Sequence, residues 1–245
     1  MTVPGIITIF LIIFSFFTAA ISAVTGMGGG IILLSVMTLF FPLNVVIPIH
    51  GFIQFVSNFY RSYLLRSHIN WSLAIPFFIG APIGTFLSYL VIKVMPSPLF
   101  PQIIITILIF YSVFRPNNLP SLVIPNWAFF ILGFIVGLFS LLIGATGPLI
   151  APFFLRSDLK KEDLIATKAA VQTVGHFLKV PAFIALSFPF ENYLWIILFM
   201  TLFTIIGTNW GIKLLIKINQ KLFIKIFKVG LFLTGLRMIY KMVLG

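Results

Sequence analysis

The chain has no cysteine and only four acidic residues in 245, and no charged side chain precedes Arg61. Without cysteine there is no disulfide, no thiolate nucleophile and no thiol metal ligand. The three histidines, His50, His68 and His176, are too scattered to form a metal-binding pair on one helix. Charged residues make up 8% of the chain, against about 25% in an ordinary soluble domain. No soluble domain, long linker or low-complexity tail is visible, so any chemistry takes place inside a bilayer. No nucleophile–base pair or metal motif is present, which argues against an intramembrane enzyme and against a bound cofactor.

What the chain does have is apolar length. Hydrophobic residues make up 60% of it, and its mean hydropathy is +1.18. Apolar segments run over 4–24, 28–41, 45–60, 71–93, 98–114, 127–143, 147–155, 164–188, 191–212 and 221–243. This pattern predicts an all-α polytopic membrane protein. The start has no basic region and its apolar run is long for a signal peptide, so it reads as a first helix. The net charge of +12 does not point to nucleic acid. The basic residues fall in short clusters between apolar segments, as orientation signals do. Those at 213–228 also suit anionic membrane lipid.

The two halves repeat. Gln172 follows Gln54 by 118 residues, and at that offset Gly144 matches Gly26, Gly147 matches Gly29, Lys168 matches His50 and Lys179 matches Arg61. The triplet IGT at 83–85 recurs at 206–208, an offset of 123. The expected organisation is a first transmembrane repeat at 1–115, a linker at 116–126 and a second repeat at 127–245. Each repeat is a glycine-broken hairpin followed by three transmembrane helices. With five apolar segments per half, the second half must enter the membrane inverted. The basic residues agree. Loop 41–44 has none, while its counterpart 156–163 has Arg156, Lys160 and Lys161. Loop 61–70 has Arg61 and Arg66, while 179–188 has only Lys179. The turn near 93–98 has Lys93 alone, while its counterpart carries Lys213, Lys217, Lys221 and Lys225. Both termini then lie outside and the basic loops in the cytoplasm. Arg237 and Lys241 run against this bias.

The glycine breaks are TGMGGG at 25–30 and GATGP at 144–148. The nine residues at 147–155 would span only about 14 Å as a helix, short of a hydrocarbon core of about 30 Å. Broken helices of this kind point to a transporter site, because their free N–H groups and positive dipole ends favour an anion. Helices are expected to begin at Ile31 and Leu149. Close helix packing is the other reading of these glycines.

After each break comes a polar stripe at helical spacing: His50, Gln54, Asn58 and Arg61, then Lys168, Gln172, His176 and Lys179. Gln54 and Gln172 fall near the midplane, where their amides can donate to an oxyanion or bridge helices. Lys168 can touch a ligand or snorkel to the surface. His50 and His176 can carry a proton or charge, or simply pack. Arg61 and Lys179 are expected to end their helices at the interface, with the guiding of anions as their second reading. Asp158, Glu162 and Asp163 suggest a surface loop and helix cap, and no carboxylate lies deep in a span.

The segments AISAVTGMGGGIILL, GFIVGLFSLLIGATGPLIAPFFL and the INW that precedes IPFFIGAPIGTFLSYL resemble the sulfite exporter TauE/SafE family. The likeness covers essentially the whole chain. It implies a bacterial-type inner-membrane permease, multi-pass, for sulfite, a sulfonate or a related sulfur-containing oxyanion. The family's glycine tips fall on Gly26, Gly28, Gly29 and Gly30, and on Gly144 and Gly147. Thr146 and Pro148 interrupt the second tip, so the two half-sites are not equivalent.

The expected function is alternating-access transport of a small anion. The expected substrate-binding residues are Thr25, Gly26, Gly28, Gly29, Gly30, His50, Gln54 and Asn58 in the first half. In the second half they are Gly144, Thr146, Gly147, Lys168, Gln172 and His176. Partners are the anion and membrane lipid, without nucleic acid; a homo-oligomer stays open. The rival is a non-transporting membrane scaffold or assembly factor. Single cysteines introduced at 41–44 or 93–98 should label from outside. Those at 61–70, 156–163 or 213–221 should label from the cytoplasm. Labelling of 41–44 and 156–163 from the same side contradicts the inverted repeat.

Overall fold

The computed structural model describes residues 5–26, 28–91, 123–156 and 158–244, and between them 103, 106, 107, 110, 113 and 114. The expected turn at 93–98 and most of 98–114 and 116–126 lie outside these. The described residues form helices α1 (Gly5–Thr25), α2 (Gly29–Met37), α3 (Leu43–Leu64), α4 (Trp71–Val91) and α5 (Ala128–Ile143). They continue with α6 (Gly147–Phe154), α7 (Lys161–Phe177), α8 (Lys179–Ala185), α9 (Leu194–Lys217) and α10 (Gln220–Leu244). No strand occurs among them.

Side-chain placement is that of a membrane protein. On α1 the large residues Ile6, Ile9, Ile13, Phe17 and Ile21 are exposed, while Ser15, Thr18, Ala19, Ser22 and Ala23 are buried. A soluble helix does the opposite; in lipid, small and weakly polar residues belong at helix contacts. Helix α1, helix α4 and the stretch Phe190–Lys217 are each long and apolar enough to cross a membrane.

Glycines set the helix contacts. α9 lies against α1, and α4 lies against α5. A Cβ on Gly207 would strike the Phe16 carbonyl, and one on Gly84 would strike the Phe134 carbonyl. Both glycines are the middle residue of an IGT triplet, and Phe134 follows Phe16 by 118 residues. One backbone-to-backbone contact is therefore made twice, with the halves exchanged. Ser15 Oγ ties the α1–α9 pair further, donating to the Met200 carbonyl at 3.1 Å.

The helix ends gather into two groups. At one, His68 Nδ1 lies 3.0 Å from Asp163 Oδ1, and the Asn70 amide donates to Thr167 Oγ1 at 2.8 Å. Lys161 Nζ there donates to the Leu215 carbonyl at 2.9 Å and to that of Ile218. At the other, Phe41, Phe188, Phe190 and Tyr193 form an aromatic cluster, with Phe188 and Tyr193 stacked at 5.6 Å. The 22 residues of α3, about 33 Å of helix, separate Leu43 from Leu64. Loop 41–44 thus sits at the opposite end of α3 from loops 61–70 and 156–163.

Two local expectations fail. The apolar run 164–188 is not one helix: it breaks at Leu178 between α7 and α8. Pro181 has no N–H to give and its ring excludes the carbonyl of Phe177, which ends α7 there. The acidic group caps no helix by side chain, since Lys160 holds the N-cap of α7 without a cap bond. Asp158 instead accepts from Arg156 at 2.8 and 3.0 Å, and that hydrogen bonding holds its carboxyl below the usual range.

Candidate functional site

Each glycine break is followed by a helix too short to cross a membrane. α2 has nine residues and α6 has eight, about 12–14 Å each. Both start two residues before the expected positions, at Gly29 and Gly147. Gly26 has φ 71° and Gly144 has φ 76°, values that an L side chain rarely adopts. They are the positions related by the 118-residue offset, so the turn itself repeats. No side chain caps α2 or α6 at the N-terminus; the Leu149 N–H donates to the Thr146 carbonyl at 3.1 Å, and the N–H of Gly147 is left for another acceptor.

Helices α3 and α7 pack along each other at the centre. Gln54 and Gln172 are each the twelfth residue of their helix. The stripes meet: the His50 and His176 rings lie 6.0 Å apart, and those of Phe55 and Phe177 5.3 Å apart. Stripes and tips together enclose a cavity. Of the expected residues, Gly26, Gly28, Gly30, His50, Gln54, Asn58, Gly147, Gln172 and His176 line it. A Cβ on Gly30 would sit 3.1 Å from the Gln54 amide carbon, and one on Gly147 would sit 2.9 Å from Gln172 Nε2. The missing side chains are the space that the two amides occupy. Among the described residues neither amide hydrogen-bonds within the protein. A water molecule's centre can move through about 20 Å³ of this cavity, while about 10–15 Å³ suffices for one water. The space suits a solute of a few heavy atoms.

The other expected residues do not line the cavity. Gly29 faces α1, where a Cβ would collide with the Thr18 carbonyl. Thr25 Oγ1 donates to the Ile21 carbonyl at 2.8 Å. Thr146 is buried at the N-cap of α6. Gly144 packs against Leu34 and Ile47. Lys168 does not snorkel: it is 1% exposed, and Nζ donates to the Gly26 carbonyl at 2.5 Å. It braces the first tip from the opposite half.

The interfacial reading of Arg61 and Lys179 is corrected, since they are 2% and 1% exposed. Lys179 Nζ donates to the Gly144 carbonyl and braces the second tip. Arg61 lines the cavity. Its Nη1 donates to Asn58 Oδ1 at 3.3 Å and its Nη2 to Ser57 Oγ at 3.2 Å, while Nε has no partner. Its hydrogen-bond partners are neutral and no carboxylate balances it, because every acid lies at 158, 162, 163 or 191. A buried charge without a counter-charge costs several kcal/mol. The helical spacing of the stripe places Arg61 on the same face as Gln54 and Asn58. Ser22, Ile31, Ala145 and Pro148 complete the lining; their types carry no signal in the sequence.

Fold and site define a helical membrane protein with a small, positively charged cavity where two broken helices meet two polar stripes. The sulfite exporter TauE/SafE family model matches residues 11–238, so the chain belongs to that family. It is a family of membrane transporters for sulfur-containing anions. No curated protein and no solved structure matches the chain.

The two tip glycines should fail differently. Gly29→Ala should destabilise by at least about 1–3 kcal/mol through overpacking against backbone, read as a drop in Tm. Gly147→Ala displaces only the end of Gln172 and should leave Tm near that of the wild type. Gly147→Ala, Gln54→Ala and Gln172→Ala should each weaken anion affinity by about 1–3 kcal/mol. Unchanged affinity in all three, with Tm lowered, would make these residues packing elements.

Proposed function

We propose that this chain is a multi-pass transporter of the inner membrane of a bacterial-type cell. It moves a small sulfur-containing oxyanion by alternating access between two inverted halves. The observation that carries this reading is Arg61: a guanidinium buried against a small cavity, hydrogen-bonded only to neutral groups and without a carboxylate to balance it. An oxyanion there would receive the Arg61 guanidinium, the amides of Gln54 and Gln172, and the N–H groups of Gly30 and Gly147 at the starts of α2 and α6.

Inversion is supported by the contact made twice with halves exchanged, and by the opposite placement of loops 41–44 and 156–163 along α3. Alternating access is supported by the different closures at the two ends. One is aromatic, the other polar and carried by Lys161, His68 and Asp163. Each could open while the other holds, with the cavity between them.

Sulfite should stabilise the purified protein thermally, by about 2.7 kcal/mol at a hundred times Kd, where chloride at equal ionic strength does not. Arg61→Gln should weaken sulfite binding about 10–150-fold, the equivalent of losing a charged hydrogen bond of about 1.5–3 kcal/mol, and should abolish uptake of labelled sulfite into proteoliposomes. Absence of any anion-specific shift in the wild type would favour the scaffold and overturn this function.

A further inference from the structure

The cavity wall contains two histidines that anion binding alone leaves unexplained. His50 Nε2–H donates to the Gly30 carbonyl at 2.7 Å. That bond fixes the proton on Nε2, so Nδ1 is the atom of this ring that can gain or lose one. His50 Nδ1 is buried without a partner, and so is His176 Nδ1 across the 6.0 Å ring contact.

The charged groups around the pair are all basic. Arg61 lies on α3 with His50, and Lys168 on α7 with His176. Lys179 on α8 runs its stem past Gly51, next to His50. Helices α1, α2, α4 and α6 contain no ionisable acid or base other than Tyr89 on α4. On α9 the lysines 213 and 217 are exposed near its end. No carboxylate can balance a further positive charge, because all four lie at 158–163 and 191.

This leaves the empty cavity with two unfavourable options. A bare Nδ1 leaves a buried lone pair with no donor among the described residues. A protonated Nδ1 adds a cation beside Lys179. An arriving anion removes the objection to the second option, since it supplies the missing negative charge. If the anion carries its own O–H, the lone pair can accept that hydrogen instead. The count is the same in both cases: one proton enters with each anion, on nitrogen or on oxygen.

We propose that the His50–His176 pair takes up one proton with each anion bound, so that the cargo is an anion plus a proton. This rests on the anion-transport reading above. By linkage the coupling is reciprocal, and acidification tightens anion binding.

The test is isothermal titration calorimetry of the purified wild type with sulfate and with methanesulfonate, neither of which titrates near neutral pH. It is run in buffers of differing ionisation enthalpy. The heat should depend on the buffer with a slope near one proton per anion, and the affinity should rise as pH falls, approaching tenfold per unit. His50→Gln and His176→Gln, which keep a hydrogen-bonding group, should reduce the slope while anion binding persists. Buffer-independent heat with measurable binding overturns the proton inference and leaves the anion site standing. An unchanged slope in both variants takes the proton off the histidines and overturns the assignment. No binding of either anion or of sulfite overturns the reading beneath it. Should a variant fail to fold, the wild-type slope still decides whether a proton is taken up.

Discussion

The site depends on one electrostatic constraint: a buried guanidinium in a bilayer protein whose acids all lie at its edges. Arg61 cannot be neutralised from within its own neighbourhood. The two lysines nearest to it are held differently. Lys168 and Lys179 donate to the carbonyls of Gly26 and Gly144, the two residues whose left-handed backbone forms the tips. These cations brace the bends from one side and turn the tips' N–H ends toward the cavity on the other. Arg61 is what remains facing the space between them.

The pseudo-symmetry serves this arrangement without being complete. Gly26 and Gly144 adopt the same turn, and Gly84 and Gly207 make the same backbone contact across exchanged halves. The bracing cations break the rule. Lys168 reaches across to the other half's tip, whereas Lys179 braces its own. The first half answers with a histidine at the position of Lys168 and an arginine at that of Lys179. Pro148 also removes one N–H from the second tip. The two tips thus share a positive-φ glycine while the side chains around them differ, and Arg61 alone among the described arginines lines the cavity.

Much of this was legible in the sequence. The offset of 118 residues, the short span at 147–155 and the helical spacing of the stripes single out nine of the residues that line the cavity. What could not be read were contacts that depend on crossing geometry. Gly29 and Gly30 are adjacent and identical in type, yet one faces the Thr18 carbonyl and the other faces Gln54. Only the orientation of α2 against α1 decides which. Lys168 lies one turn past a basic loop, and nothing local distinguishes a snorkelling lysine from one bound to a carbonyl in the opposite half. Pro181 was the one missed local signal: it was read as part of an apolar run, though it ends α7.

The most direct test of an anion held between the two halves is anomalous diffraction from crystals grown with selenite, the heavier analogue of sulfite. The account predicts a single strong selenium peak within hydrogen-bonding distance of Arg61, Gln54 and Gln172. Ordered selenium found only at the exposed lysines 213–225, with the cavity between the tips vacant, would contradict it.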